Sequence, residues 1–387
     1  MSRRDVGIGL VGYGTMGKAH SYAYAAAPLI RPLPWRPRLR VVAGRNHDAV
    51  ERAARDFGAE RFTTDWREVV EAPDVEIVDI CTPPGAHAEV IEAAAEAGKA
   101  ILCEKPLAAD WDDACRAAAA VRRAPVKNAI GFNYRRLPAL SLMKELIDSG
   151  RIGAIRLWRG SWLSDEFADP EIPFDWRFAR REGASTIADL GAHLLDLAGW
   201  MVGELDAVSA QSQTFTPARA DAAGERHDVD IDEASSALLR FTSGALGVFE
   251  VGKTCVRRPC DFTLEVNGER GTLRFDYARI NELWFGDGDD APELYGMRRI
   301  RAEHPLHPET RGWWAIGQGI GYGASFVNQI ADLLERWPDG RWAPDFAVGL
   351  EVQAACEAIE RAAAERRWVT LEEIRRGPAV GTAGSPR

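Results

Sequence analysis

Hydrophobic and polar positions along the first 130 residues switch repeatedly between two periods. Residues 6–11 form a short apolar run of the kind expected of a strand buried on both faces. Residues 15–27 follow with helical spacing, and the proline-rich stretch 28–37 interrupts the pattern. Residues 39–43 then read as a second strand, and 48–57 as a helix ended by Gly58. Two more strands, 77–81 and 100–103, flank an alanine-rich helix at 87–97 that Gly98 closes. Residues 111–123 read as a helix and 126–132 as a strand. Alternation of this kind with short connections predicts a parallel sheet covered by helices on both faces.

After Leu137 the pattern changes. A helix at 139–149 stops at Gly150, and a strand follows at 155–163. An irregular stretch rich in Trp, Phe, Asp and Pro (164–182) precedes a helix at 186–201. Strands of alternating polarity are expected at 208–214, 234–241, 246–251, 261–267 and 272–275. The turns Thr242-Ser243-Gly244 and Asn267-Gly268 favour antiparallel hairpins. Helical spacing returns at 326–337 and 347–365. The expected fold is α/β: an N-terminal domain (1–132), whose first strand-to-helix turn places Gly12, Gly14 and Gly17 as a Rossmann-type dinucleotide-binding domain does, followed by an α+β domain (133–376) on a large, mainly antiparallel open sheet. A Gly/Pro/Ser-rich tail (377–387) is expected to be mobile.

Composition narrows the function classes. The 387 residues suit two or three domains at about 150 residues each. With 48 basic and 58 acidic residues the net charge is −10, which argues against a nucleic-acid partner. No apolar run reaches the roughly 18 residues of a membrane span, and the first five residues lead into a strand without a signal-peptide core. The six cysteines have no metal-ligand spacing, so free thiols, a cytoplasmic location and no metal are the expectation.

Gly12-Tyr13-Gly14-Thr15-Met16-Gly17 matches GxGxxG where a strand ends and a helix opens. Gly12 permits the tight turn, Gly14 lets backbone approach a pyrophosphate, and Gly17 allows close helix–strand packing. Thr15 and Met16 open the helix whose N-terminus would face the phosphates. At the end of the second strand, Val41-Val42-Ala43-Gly44-Arg45-Asn46-His47 carries no acid to bind a ribose 2′-hydroxyl. Arg45 can pair with a 2′-phosphate or stack on adenine, so the cofactor reads as NAD(P), with NADP slightly favoured and NAD retained.

Three further segments carry chemistry: Cys81-Thr82-Pro83-Pro84 followed by His87, Glu104-Lys105-Pro106, and Asp189-Leu190-Gly191-Ala192-His193. With the N-terminal motif, this order of GxGxxG, EKP and DxxxH resembles the glucose–fructose oxidoreductase / inositol dehydrogenase / rhizopine-catabolism superfamily. The segments 132–136, 176–178, 228–233 and 319–323 look most like its sugar dehydrogenases of the levoglucosan-dehydrogenase type. The resemblance implies NAD(P)-linked oxidation of a secondary alcohol on a sugar, anhydrosugar or polyol, or the reverse reduction. A sugar-nucleotide ketoreductase on the same fold and a non-catalytic NAD(P)-sensing regulator are the alternatives. Loss of the EKP lysine or the histidine would favour the regulator, and both are present.

The residues themselves suit that chemistry. Oxidising a carbinol needs an acceptor for the hydroxyl proton and a cation for the developing alkoxide. Lys105, at the sheet's C-terminal edge, suits the second task. His193 suits the first, as the family pattern also implies. Asp189 lies four residues before His193, on the same face of a helix, and would bind substrate or orient the histidine. Asp196 is a supporting group one turn on. Thr82, Pro83, Glu104 and Lys105 are expected to line the cofactor cleft. His87 either lines it near the nicotinamide ribose or plays a structural role. Asn133, Tyr134 and Arg136 are candidates for sugar hydroxyls, and Trp176 and Arg177 for the pyranose face, although most of the thirteen tryptophans must serve the core. Where many relatives carry a glycine run before the DxxxH helix, this chain has Gly183-Ala184-Ser185-Thr186, which alters the local loop. An open sheet face further predicts a homodimer or homotetramer formed sheet to sheet.

Overall fold

The structure, a computed structural model, describes residues 4–377; the expected mobile tail lies, beyond Gly377, outside them. Six parallel strands form the first sheet: β1 (Arg4–Val11), β2 (Trp35–Ala43), β3 (Arg61–Thr63), β4 (Ile77–Ile80), β5 (Ala100–Cys103) and β6 (Asn128–Ile130). Their order is β3-β2-β1-β4-β5-β6, so the chain reverses direction across the sheet between β1 and β4 and opens a crevice at their C-terminal ends. Helices α1 (Thr15–Ile30), α2 (His47–Phe57), α3 (Arg67–Glu71), α4 (His87–Glu96) and α5 (Trp111–Arg123) make the crossovers. The proline-rich stretch breaks less than its sequence suggests. Pro28 falls in the last turn of α1. Pro37 lies in β2 ahead of the residues that pair with β3, where no neighbour on that side needs its missing N–H. The pieces β3 and α3 are too short to register a period.

In the second domain α6 (Pro138–Asp148) leads into β7 (Ile155–Leu163), and α7 (Ala192–Val202) precedes β8 (Leu205–Gln213). A ribbon of β9 (Ala218–Ala220) and β10 (Arg226–Asp228) stands apart from the main sheet. That sheet continues with β11 (Ala234–Phe241), β12 (Leu246–Gly252), β13 (Asp261–Gly268), β14 (Gly271–Asp276), β15 (Glu282–Asp287) and β16 (Arg298–Arg301). Helices α8 (Gly323–Glu335) and α9 (Phe346–Glu365) come next, then β17 (Val369–Thr370) and α10 (Leu371–Arg375). Nine strands lie in the order β16-β15-β14-β13-β7-β12-β11-β8-β17. All pairings are antiparallel except β7 with β12, because β7 enters the middle of the sheet from earlier in the chain.

Residues 323–335, counted with the second domain in the sequence, pack against α1 as α8. Val6, Ile8 and Tyr24 share a core with Phe326, Ile330 and Trp342. Helix α9 lies between α5 and β8 and ties the two domains together. Among the described residues no helix is long and apolar enough to cross a membrane.

Candidate active site

The β1–α1 turn is a cradle that only glycine can form. Gly12 has φ +103°, and a Cβ there would lie 2.5 Å from the Cys81 carbonyl oxygen. A Cβ at Gly17 would lie 2.3 Å from the Gly12 carbonyl oxygen, so α1 sits hard against the strand end. Among the described residues, a Cβ at Gly14 would meet nothing within 4 Å, and no side chain caps the first turn of α1. Its free N–H groups therefore face open space, beside exposed Thr15 and half-buried Met16. Across the crevice, half-buried Thr82 and Pro83 form the turn after β4, and Thr82 Oγ1 is buried with no partner among the described residues. An anion cradle and an orphaned hydroxyl on the same crevice fit a dinucleotide. Gly44 lies under the Tyr13 ring, where any Cβ would come within 2.0 Å, and Arg45 beyond it is exposed.

His87 is corrected by its burial. Its ring is fully enclosed, with Nδ1 3.0 Å from the Pro106 carbonyl oxygen and Nε2 2.9 Å from that of Thr82. It tethers two crevice turns to each other and leaves no surface for the nicotinamide ribose.

The crevice meets the second domain at Lys105. Its ammonium donates to Asp189 Oδ1 at 2.6 Å and to the Asp189 carbonyl oxygen at 2.9 Å, with no other partner among the described residues. Residues Ile187–Gly191 form a π-turn ahead of α7. The wider turn re-aims Asp189 toward the lysine, away from the i, i+4 partnership expected with His193. The turn's entry is fixed by buried Asp232, which accepts from Thr186 N at 3.0 Å and is pushed up to about 6 by burial. Burial opposes ionisation of Asp189, but Lys105 and Lys253 outweigh it and hold its carboxyl well below the usual range.

His193 is buried, with its ring 4.6 Å from Tyr134 and stacked at 5.7 Å on Trp162. Its Nδ1 has no partner among the described residues. Burial, reinforced by Lys105, pushes the imidazole well below its ordinary range and so favours its neutral form. Asp196 does not support it. Its carboxylate is claimed by Arg135, whose Nη2 lies 2.6 Å from Oδ1.

The expected sugar contacts divide. Arg136 is corrected: its guanidinium is taken by Glu309 (3.0 Å), Asp332 (2.8 Å) and the Ala343 carbonyl oxygen (3.0 Å), pairings that tie together distant segments of the second domain. Asn133 donates to Ser325 Oγ at 2.7 Å, and Tyr134 is buried against the His193 ring, so both shape the site's wall. Arg177 pairs with Asp175 at 2.7 Å and lies 4.9 Å from the Trp176 ring centroid, and nothing ties either residue to Lys105 or His193.

Beneath the crevice lies a network absent from the sequence reading. His20 on α1 contacts Asp79 through Nδ1 (2.9 Å to Oδ2) and Glu104 through Nε2 (2.9 Å to Oε1). Glu104 in turn accepts from the Lys105 backbone N–H at 3.1 Å. The expected cofactor-cleft residue Glu104 is thus buried, and fixes the lysine's backbone.

Two family models match the chain: "Oxidoreductase family, NAD-binding Rossmann fold" over residues 6–132, and "GFO/IDH/MocA C-terminal domain" over 140–274. Levoglucosan dehydrogenase from Pseudarthrobacter phenanthrenivorans is 38% identical, over 96% of this chain and 99% of that protein. The chain belongs to the GFO/IDH/MocA oxidoreductase family. Among solved members, an oxidoreductase domain protein from Kribbella flavida matches with TM-score 0.92 and 41% identity, covering 96% of this chain and 100% of that one. A levoglucosan dehydrogenase in complex with NADH and levoglucosan matches with TM-score 0.92 and 38% identity, covering 95% and 99%. The likeness read from GxGxxG, EKP and DxxxH stands, as do the Rossmann domain and the mainly antiparallel sheet. The chain is an NAD-binding oxidoreductase.

Family motifs do not account for Lys253, Glu166, Trp162 or His20. Lys253 follows a strand as a lone basic residue and carries no pattern. His20 leaves a trace: Gly17, His20 and Tyr24 fall on one helical face, an odd place for an imidazole unless it is paired.

Proposed function

We propose that the chain oxidises a secondary alcohol of a sugar, anhydrosugar or polyol with a nicotinamide cofactor, or runs the reverse reduction. The observation that carries this is the Lys105 ammonium, held by Asp189 with one proton to spare, in a site that also holds a buried, neutral His193. When bound, the nicotinamide supplies the two-electron acceptor for the carbinol hydrogen. Lys105 donates its remaining proton toward the substrate oxygen and steadies the charge that develops there. His193 accepts the hydroxyl proton. Residues 1–132 serve the cofactor, and 133–376 serve substrate and assembly. Support for a sugar comes from the levoglucosan dehydrogenase relatives. The test follows reduced nicotinamide absorbance over monosaccharides, anhydrosugars and inositols with both cofactors. Failure to oxidise any of them, with no reduction of the matching ketones, would refute the reading.

NAD binding follows from the family, and we extend it to tolerance of NADP. Exposed Arg45 and the absence of an acid between β2 and α2 favour this. A guanidinium–phosphate hydrogen bond contributes about 1.5–3 kcal/mol before solvent screening at an open edge. Arg45→Ala should therefore weaken NADP more than NAD, by a margin that shrinks with salt. Equal weakening would mean that Arg45 stacks on adenine.

Assembly uses the open sheet face. Leu238 pairs with Val248 across β11 and β12, Leu246 pairs with Leu157 across β12 and β7, and all four are exposed. Such a contiguous apolar patch favours burial against a second copy. Light scattering should report a dimer or tetramer that Val248→Asp dissociates; a micromolar monomer would contradict it.

A further inference from the structure

Lys253 is the residue next to the reaction to which the proposed chemistry gives no task. It follows the last residue of β12, and its side chain is 3% exposed. Its ammonium contacts Asp189 Oδ2 at 2.5 Å and Glu166 Oε2 at 3.0 Å, and lies 4.4 Å from the Phe167 ring centroid. Its backbone is pinned on both sides: its N–H donates to the Glu233 carbonyl oxygen at 2.9 Å, and its carbonyl accepts from Phe167 N at 2.7 Å. A group so fully engaged is built to hold something else in place.

What it holds is one oxygen of the Asp189 carboxylate. Lys105 has the other, Oδ1, together with the Asp189 carbonyl. Without Lys253, both carboxylate oxygens would be available to Lys105, and a closed ion pair would draw in the proton that the substrate needs. The second cation also offsets the carboxylate charge, so the face turned to a developing alkoxide stays positive. We propose that Lys253 is a positioning residue that anchors Asp189 by its far oxygen, so that Lys105 keeps one ammonium proton for the substrate hydroxyl. This deepens the dehydrogenase reading above and rests on it.

The test uses the full-length enzyme with a sugar that the wild type oxidises. Lys253→Met, close in volume, should lower kcat about 10–100-fold through misplacement of Lys105, while KM and NADH affinity change less than about twofold. Lys253→Arg, which can still bridge Asp189 and Glu166, should recover most of the loss. The double variant Asp189→Asn/Lys253→Met should be no slower than Asp189→Asn alone, because the lysine acts through the carboxylate. Additive losses, or a loss carried by KM, would overturn the proposal. Lys253→Gln, which keeps a donor and removes the charge, carries the same expectations if the methionine variant fails to fold. A substrate-free arm separates this idea from the choice of reaction. Acetylation by acetic anhydride, read by peptide mass spectrometry, should slow at Lys105 in Lys253→Met and stay unchanged at exposed lysines. Unchanged acetylation of Lys105 would sink the proposal even if the enzyme proves to be a sugar dehydrogenase.

Discussion

Replacing His193 or Lys105 with alanine is expected to lower kcat by about 10²–10⁴-fold while the protein stays folded, the range that a positioned acid or base contributes. The two losses have different origins. His193→Ala removes the proposed proton acceptor and opens a space between Tyr134 and Trp162, whose rings now flank the imidazole. Lys105→Ala removes the cation, and Lys253 remains to pair Asp189. Neither residue belongs to the phosphate cradle, so NADH fluorescence titration should give near-normal affinities for both variants. The pH profile adds a sharper check. Burial and Lys105 hold His193 well below 6.5, and the proposed role requires the neutral form. Activity should therefore persist as pH falls through 6.5, and the acid limb of kcat/KM should lie below it. Near-normal turnover by His193→Ala would remove it as the base, and an acid limb above 6.5 would contradict its buried, lysine-flanked setting.

How much of this could be read in the chain depends on the range of each interaction. The β1–α1 cradle is local: three glycines within six residues meet one strand end, so spacing alone identifies it. Lys105 is equally local, placed by the end of β5. The Asp189–His193 relation looked local and was not. Residues 187–201 are apolar on most sides, so a 3.6-residue period runs unbroken through the sequence, and one wider turn at Ile187–Gly191 leaves no mark in it. Arg136 depended on partners far along the chain, Glu309 and Asp332, which no window around it could contain. The placement of β7 between β12 and β13 is likewise a tertiary choice, because its own alternation suits an edge or a centre equally. Lys253 combines both problems, since a lone lysine after a strand ordinarily points to water, and only the fold brings Asp189 and Glu166 to it.

His20→Gln should destabilise the protein by about 3–5 kcal/mol, because it leaves two buried carboxylates without their cation. Asp79 and Glu104 approach opposite ring nitrogens, each at 2.9 Å, in a site closed to solvent. Burial opposes the imidazolium, but the Asp79 carboxylate outweighs it and raises the His20 pKa well above 6.5. The sign of the pH dependence follows. The folded protein holds this proton more tightly than the unfolded chain, so the stabilisation is complete below pH 6.5 and is lost as pH rises through the folded value. The fall should be about 1.4 kcal/mol per pH unit in that window. In the variant this alkaline decline should disappear, because no imidazole remains there to titrate. Urea unfolding of both proteins across neutral and alkaline pH measures the two slopes directly. If His20→Gln matches the wild type in stability and slope, the imidazole is neutral there. Glu104 would then hold the Lys105 backbone without help from a buried cation.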